Sequence, residues 1–290
     1  NDGSRGLGDV YKRQALQGAG FDAAAGVGLD ITELAGNQAA QVALQAGAVD
    51  VIVSDWLWVI ERRRSGEDFV FAPFSCAVGA LTVNPAAKIA DLADLRGRRL
   101  GVAGTPLDKS WLLLKAYARE TAGLDVAREC APAFAAPALL NEKLTSGEFD
   151  AALNFWHFAA RAEAKGAKRI LDVQTMVDHY AGVKGVPAVG YVFRQSWAAA
   201  NPAAASGFYA ATLRAKTLMA TDDAVWERLR PLMRAEDDAT FIMLRDRYRE
   251  GRPKRWGDAE RAGAARIYRL LSKDGAAEPP AGVFWSGADF

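Results

Sequence analysis

The chain is poor in the residues on which many enzymes and metal centres depend. Of its 290 residues, two are cysteines and two are histidines. Cys76 and Cys130 stand in separate segments, and neither has His157 or His179 at metal-ligand spacing, which excludes a structural zinc site. The sequence leaves open whether the two cysteines pair. Excess charge of one sign is lacking too, since 36 Lys and Arg face 35 Asp and Glu for a formal net charge of +1. Nothing in that balance calls for nucleic acid or an anionic membrane as partner. The short basic runs Arg62-Arg63-Arg64 and Lys254-Arg255 read as solvated helix faces. Long hydrophobic runs are missing as well. Val51 to Ile60 is broken by Asp55 and falls well short of the roughly 20 residues a membrane-spanning helix needs.

Catalytic signatures are equally sparse. There is no Gly-x-Ser-x-Gly elbow, no His-Glu-x-x-His, and no cysteine set against a histidine and an acid. With two histidines, acid–base chemistry would rest on carboxylates or on Lys109. The expectation is a protein that binds rather than transforms, without a cofactor.

What the chain does have is a hydrophobic content of 50%, a charged content of 24%, and length enough for two lobes with their own cores. It also has an internal echo. Leu44, Gly47, Asp50, Ser54 and Trp56 recur at the same spacing as Leu144, Gly147, Asp150, Asn154 and Trp156. Each stretch reads as a helix end, a glycine stop, a short buried strand and a polar-aromatic pair, which is half of a βαβ unit. Two α/β lobes with facing half-sites follow from that pattern. Further strands are predicted at 27–34, 69–74, 77–83, 99–103, 130–134, 169–173 and 186–194. Alternation with helices implies a mostly parallel sheet in each lobe. The apolar crossings near 77–85 and 186–194 imply an inserted middle lobe and a two-strand hinge. After them the chain reads as helical, with Trp226, Phe241, Leu244 and Tyr248 in the core and a linker-like tail.

Three clusters are candidate binding elements. Ser54-Asp55-Trp56 ends a strand, where a hydroxyl can donate, a carboxylate can accept from an amine, and an indole can stack. Trp58, two places on, is expected to fill space. Gly104-Thr105 through Asp108, Ser110 and Trp111 opens a helix after an apolar strand, so its free N–H groups and hydroxyls suit an acidic ligand group, although Thr105 or Asp108 could simply cap the helix. Asn154 and Trp156 are expected to line the cleft, with Phe158 packing and His157 at a solvent-accessible helix start. Ser75 falls near the first crossing. Three indoles in these clusters suggest a planar, heteroaromatic solute.

The segments Gln38 to Trp56, Leu95 to Gly104 and Leu140 to Asp150 resemble periplasmic substrate-binding proteins of the nitrate, sulfonate and taurine type of ABC importer. The similarity runs over nearly all of Ala15 to about Ser272. It implies a type II two-lobe periplasmic-binding fold, with lobe I at 15–80 and 190–274, lobe II at 81–189 and a tail at 275–290. It further implies a monomeric, periplasmic or membrane-anchored protein that hands a small solute to ABC permease subunits and carries no catalytic residues. The same fold family includes thiamine-pyrimidine precursor binders and a pyrimidine synthase, whose cysteine-rich motif is missing here, and effector lobes of transcription regulators. These are the alternative readings.

The start of the chain differs from the rest. Asp9-Val-Tyr-Lys-Arg-Gln14 is what the bases GAT GTG TAT AAG AGA CAG encode, a string resembling the transposase adapter of short-read sequencing. Residues 1–14 are read as adapter-derived, with the protein's own sequence beginning near Ala15 and an opening strand and any export signal expected upstream of it.

Overall fold

The computed structural model describes residues 18, 20–32, 34, 36–272, 278–288 and 290. The adapter-like residues 1–14 lie outside them. Among the described residues the strands are β1 (Val51–Asp55), β2 (Phe69–Ser75), β3 (Gly79–Val83), β4 (Arg99–Ala103), β5 (Ala131–Ala135), β6 (Ala151–Phe155), β7 (Lys168–Asp172) and β8 (Val189–Arg194). They form two sheets of order β1-β8-β2 and β5-β4-β6-β3-β7.

The echo in the sequence is an echo in structure. Helix Asn37–Gln45, β1 and helix Trp56–Arg64 have their counterparts in helix Pro137–Thr145, β6 and helix Trp156–Ala164. Gly47 and Gly147 end the first helix of each unit at φ of 70° and 78°, a left-handed conformation that glycine adopts without a side-chain penalty.

Strands run mostly the same way within each sheet, as expected, with one reversed strand in each. β4 pairs parallel with β5 and β6, whereas β3 is antiparallel to β6 and β7, and β8 is antiparallel to β1 and β2. The reason is topological: β3 and β8 carry the chain from one sheet to the other, and each inserts between strands that otherwise point the same way. The carboxyl ends of β1 and β2, and those of β4, β5, β6 and β7, therefore each gather on one edge of their sheet.

Among the described residues of 27–34 the expected strand is not formed. Residues 27–32 and 34 carry no regular structure, and no described strand lies alongside to take their backbone groups. A helix absent from the sequence reading occupies Val173–Ala181, burying Val173, Met176, Val177 and Ala181 at helical spacing.

Two features of the chain end depart from a simple hinge with a loose tail. Helix Pro202–Thr221 stays with the first sheet, where the Tyr209 hydroxyl donates to Pro73 O at 3.1 Å. The helices that follow cross over: Asp238–Glu250 packs on Trp156–Ala164, and Asp258–Leu271 packs on Val173–Ala181. Trp226, Phe241, Leu244 and Tyr248 are buried as expected, in a core that includes Ala160. Buried Glu163 ties this layer together, accepting from Arg169 Nε of β7 at 2.9 Å and from Arg247 Nε at 3.1 Å. The chain then returns to the first sheet. Phe71 of β2 donates its N–H to Val283 O at 2.8 Å and accepts from Trp285 N at 2.9 Å, so residues 283–285 lie along β2. Apolar Val283, Phe284 and Trp285, within the expected tail, pack on the first sheet, with the Trp285 ring 5.3 Å from Phe193 and 5.6 Å from Tyr209.

Candidate functional site

A cavity of about 800 Å³ opens where the two sheets meet. From the first sheet it takes β1 along its length, with Ser54 and Asp55 at the carboxyl end, and Phe74 and Ser75 of β2. Phe155, Trp156 and His157 enter from the end of β6 in the second sheet. Residues 27–32 form another wall, and Phe208, Thr212 and Tyr248 come from the C-terminal helices.

Each residue at the centre of this cavity is held by its own element. Ser54 is buried, and its hydroxyl accepts from Gln41 Nε2 at 3.1 Å. Asp55 caps helix Trp56–Arg64 by accepting from Trp58 N at 2.9 Å, and the same oxygen accepts from the ammonium of Lys109. Lys109 begins the helix after β4, so this ion pair joins the carboxyl end of β1 to the helix that follows β4. Ser75 accepts from Ala77 N at 3.1 Å. Trp156 donates its backbone N–H to Val78 O at 3.0 Å, and its ring meets Tyr248 at 6.1 Å between centroids. His157 is 4% exposed, a buried cavity residue rather than the solvent-accessible one expected, because its ring lies between Trp156 and Phe158 at 5.5 and 4.5 Å.

Of the sequence-predicted residues, the structure brings Ser54, Asp55, Ser75 and Trp156 together. Trp56, Gly104, Thr105, Asp108, Ser110, Trp111 and Asn154 are not among the residues lining this cavity. Trp56 is in the core at 3% exposure and donates its indole N–H to Pro187 O at 3.1 Å. Trp111 is as deeply buried, edge-on to Phe134 at 5.7 Å. Asp108 caps the helix before it, accepting from Ser110 N at 2.9 Å and Trp111 N at 3.3 Å, and burial pushes its carboxyl above the usual carboxylate range. The plain capping role therefore holds for Asp108. Thr105 is an exposed turn residue accepting from Leu107 N at 3.3 Å, and Gly104 makes the preceding turn at φ 89°. Asn154 spends its amide inside the lobe, donating to Pro137 O and to Asn141 Oδ1, each at 3.0 Å.

Sequence reasoning missed Phe155, Tyr191, Phe208, Thr212 and Tyr248 as cavity residues, and misjudged His157. Phe155 carried a signal, standing where Asp55 stands in the other half. Tyr248 carried none, since only the crossing of the C-terminal helices brings it to Trp156.

The two cysteines are free: Cys76 Sγ donates to Gly185 O at 3.4 Å and Cys130 Sγ to Leu95 O at 3.1 Å. Burial raises the Cys76 thiol to about 12 and the Cys130 thiol to about 11, which leaves both un-ionised at neutral pH. The formal charges lining the cavity are carboxylates, those of Asp30, Asp50 and Asp55, and no Lys or Arg is among its described lining residues.

The model of the family described as "NMT1/THI5 like" matches residues 16–224. The chain belongs to that family. Solved structures extend the likeness over the remaining residues. The periplasmic aliphatic sulphonate binding protein SsuA of Escherichia coli is 18% identical, with 99% of this chain and 89% of that one covered at a TM-score of 0.73. The alkanesulfonate-binding protein SsuA of Xanthomonas axonopodis pv. citri, solved bound to MOPS, is 16% identical over 97% and 95% of the two chains at a TM-score of 0.68. The desulfurization enzyme DSZB shares the fold at 17% identity, 90% and 88% coverage and a TM-score of 0.60. Among curated proteins none matches the chain in sequence. The architecture is thus the type II periplasmic-binding fold, and that fold serves a binding protein and an enzyme alike.

Proposed function

We propose that this member of the NMT1/THI5-like family is the solute-binding component of an ABC importer, capturing one small solute between its lobes and delivering it to permease subunits in the membrane. The observation that carries this reading is the cavity itself. It lies between two sheets, at the gathered carboxyl ends of their strands, and is faced by Ser54, Asp55 and Ser75 from one side and Phe155 and Trp156 from the other. Ser54, Asp55, Ser75 and Trp156 are the proposed ligand contacts, with Phe155, His157 and Tyr248 added from the structure. Lobe I is residues 15–80 and 190–274, and lobe II is residues 81–189. The place of work is outside the cytoplasmic membrane, free or anchored, and the working state is a monomer.

Buried His157 in the cavity wall is what an acid–base enzyme on the same fold would use. One experiment separates the two. The protein is equilibrated with a mixture of small metabolites, freed of unbound material and denatured, and the released compound is compared by mass with the mixture. Stoichiometric recovery of an unaltered solute supports capture, and recovery of a compound absent from the mixture rejects it in favour of catalysis.

A further inference from the structure

From the charges around the cavity we infer that the solute is a small organic cation on an aromatic ring, an arylalkylamine in class, and that Asp55 receives its ammonium. This rests on the capture reading above and concerns the charge of the ligand that the same site takes.

Three observations carry it. First, the described lining holds the carboxylates of Asp30, Asp50 and Asp55 without a Lys or Arg to receive an anion. Second, two helix starts near the site are already taken, whereas the start of Asn37–Gln45, whose Gly36 and Asn37 line the cavity, has no side-chain cap and is where a competing anion would sit. Asp55 occupies the N-terminus of Trp56–Arg64, and Asp108 occupies that of Lys109–Ala122, so a sulfonate or carboxylate approaching either would meet negative charge already in place. The helix starting at Trp156 has no side-chain cap, but its first N–H is given to Val78 O. Third, the chain itself shows what Asp55 accepts, because the Lys109 ammonium sits on its Oδ1. The side chains of Lys109 and Asp55 are 44% and 22% exposed, so this is a solvated pair of small net worth, and a ligand ammonium can take the place of Lys109. The aromatic residues Phe155, Trp156, Tyr191 and Tyr248 line the same cavity, where a ring could meet a flat cation.

The test uses one ring with three charges: benzylamine, benzyl alcohol and benzenesulfonate, titrated calorimetrically into the full chain at pH 7. Benzylamine is expected to bind at least about tenfold more tightly than benzenesulfonate, the scale of one or two charged contacts near a surface. Asp55→Asn retains a good helix cap, so its thermal midpoint stays near that of the parent while its preference for amine over alcohol disappears. Lys109→Met removes the internal competitor and tightens benzylamine several-fold, leaving benzyl alcohol unchanged. Equal or tighter binding of benzenesulfonate, an undiminished preference in Asp55→Asn, or no binding of any of the three overturns the inference. Benzenesulfonate bound and released unchanged would overturn the charge assignment and leave solute capture standing. Chemical conversion of a probe would overturn capture itself.

Discussion

Asn154 donates from its amide to Asn141 Oδ1 at 3.0 Å, and Gln41 donates to the Ser54 hydroxyl at 3.1 Å, the same thirteen-residue step in the other half of the molecule. In each half a polar residue on the helix before the strand locks a polar residue near the strand's end. The two locks differ in load, since Asn154 also bonds Pro137 O and accepts from Phe155 N at 2.9 Å. Asn154→Ala strands several buried groups and is expected to cost about 2–3 kcal/mol, against about 1 kcal/mol for Ser54→Ala. Urea unfolding of the two variants would show the order, and equal losses would mean that the extra bonds are worth nothing.

Gly190 sits in β8 between both neighbours of its sheet, opposite Ser54 and Pro73. A methyl group there would lie 2.3 Å from the Phe71 ring and 2.4 Å from Ala72 O. Backbone on one side and a buried ring on the other leave no direction for relief. Gly190→Ala should lose about 1–3 kcal/mol by overpacking, read as a lower thermal midpoint. A midpoint within one degree of the parent would show that the sheet yields there.

Lys216 is a buried amine with its Nζ 4.0 Å from the centre of the Phe74 ring, and burial lowers its pKa to about 7, Cys76 opposing the shift and Arg252 adding to it. Between about pH 7 and its ordinary value of 10.5 the unfolded chain holds a proton that the folded chain does not. Stability therefore rises with pH through that window, and the penalty of burying the charge is complete below pH 7. Lys216→Met should stabilise by a few kcal/mol at pH 6, on the order of the lost penalty, and by much less at pH 9.5. Chemical denaturation at both values tests this; a gain independent of pH would assign the effect to packing.

Trp156 is the one indole of the three proposed from sequence that reaches the cavity. Trp156→Ala should weaken benzylamine binding by about tenfold, in line with the loss of a stacking or cation–π face. Trp111→Phe, which keeps an aromatic ring in the contact with Phe134, should leave affinity unchanged. Quenching of tryptophan fluorescence by the ligand would report the first and persist in the second. The opposite pattern would return the site to the Gly104–Trp111 segment.

Periodicity and glycine stops made the elements legible: Pro137–Thr145, Trp56–Arg64 and Pro202–Thr221 have the boundaries their signals imply. The site was half legible. A polar residue at a strand end is visible as a type, but whether its side chain turns to solvent or into its own lobe depends on what stands opposite. Asn154 finds Pro137 O and Asn141 within reach and turns inward, whereas Ser54 is too short to go beyond Gln41 and stays on the cavity wall. Trp56 and Trp111 are expected from the sequence among the ligand contacts, yet one satisfies its N–H on Pro187 O and the other fills space beside Phe134. Large rings near a polar loop are as useful to a core as to a ligand.

The bonds from Phe71 to Val283 and Trp285 join an early strand of the chain to almost its last residues. β2 needs them, and β8, before its sheet is complete, whereas the second sheet draws all its strands from the continuous stretch 79–172. The sheet whose strand β1 carries Asp55 is complete only when segments from the early strands, from β8 and from residues 283–285 have come together.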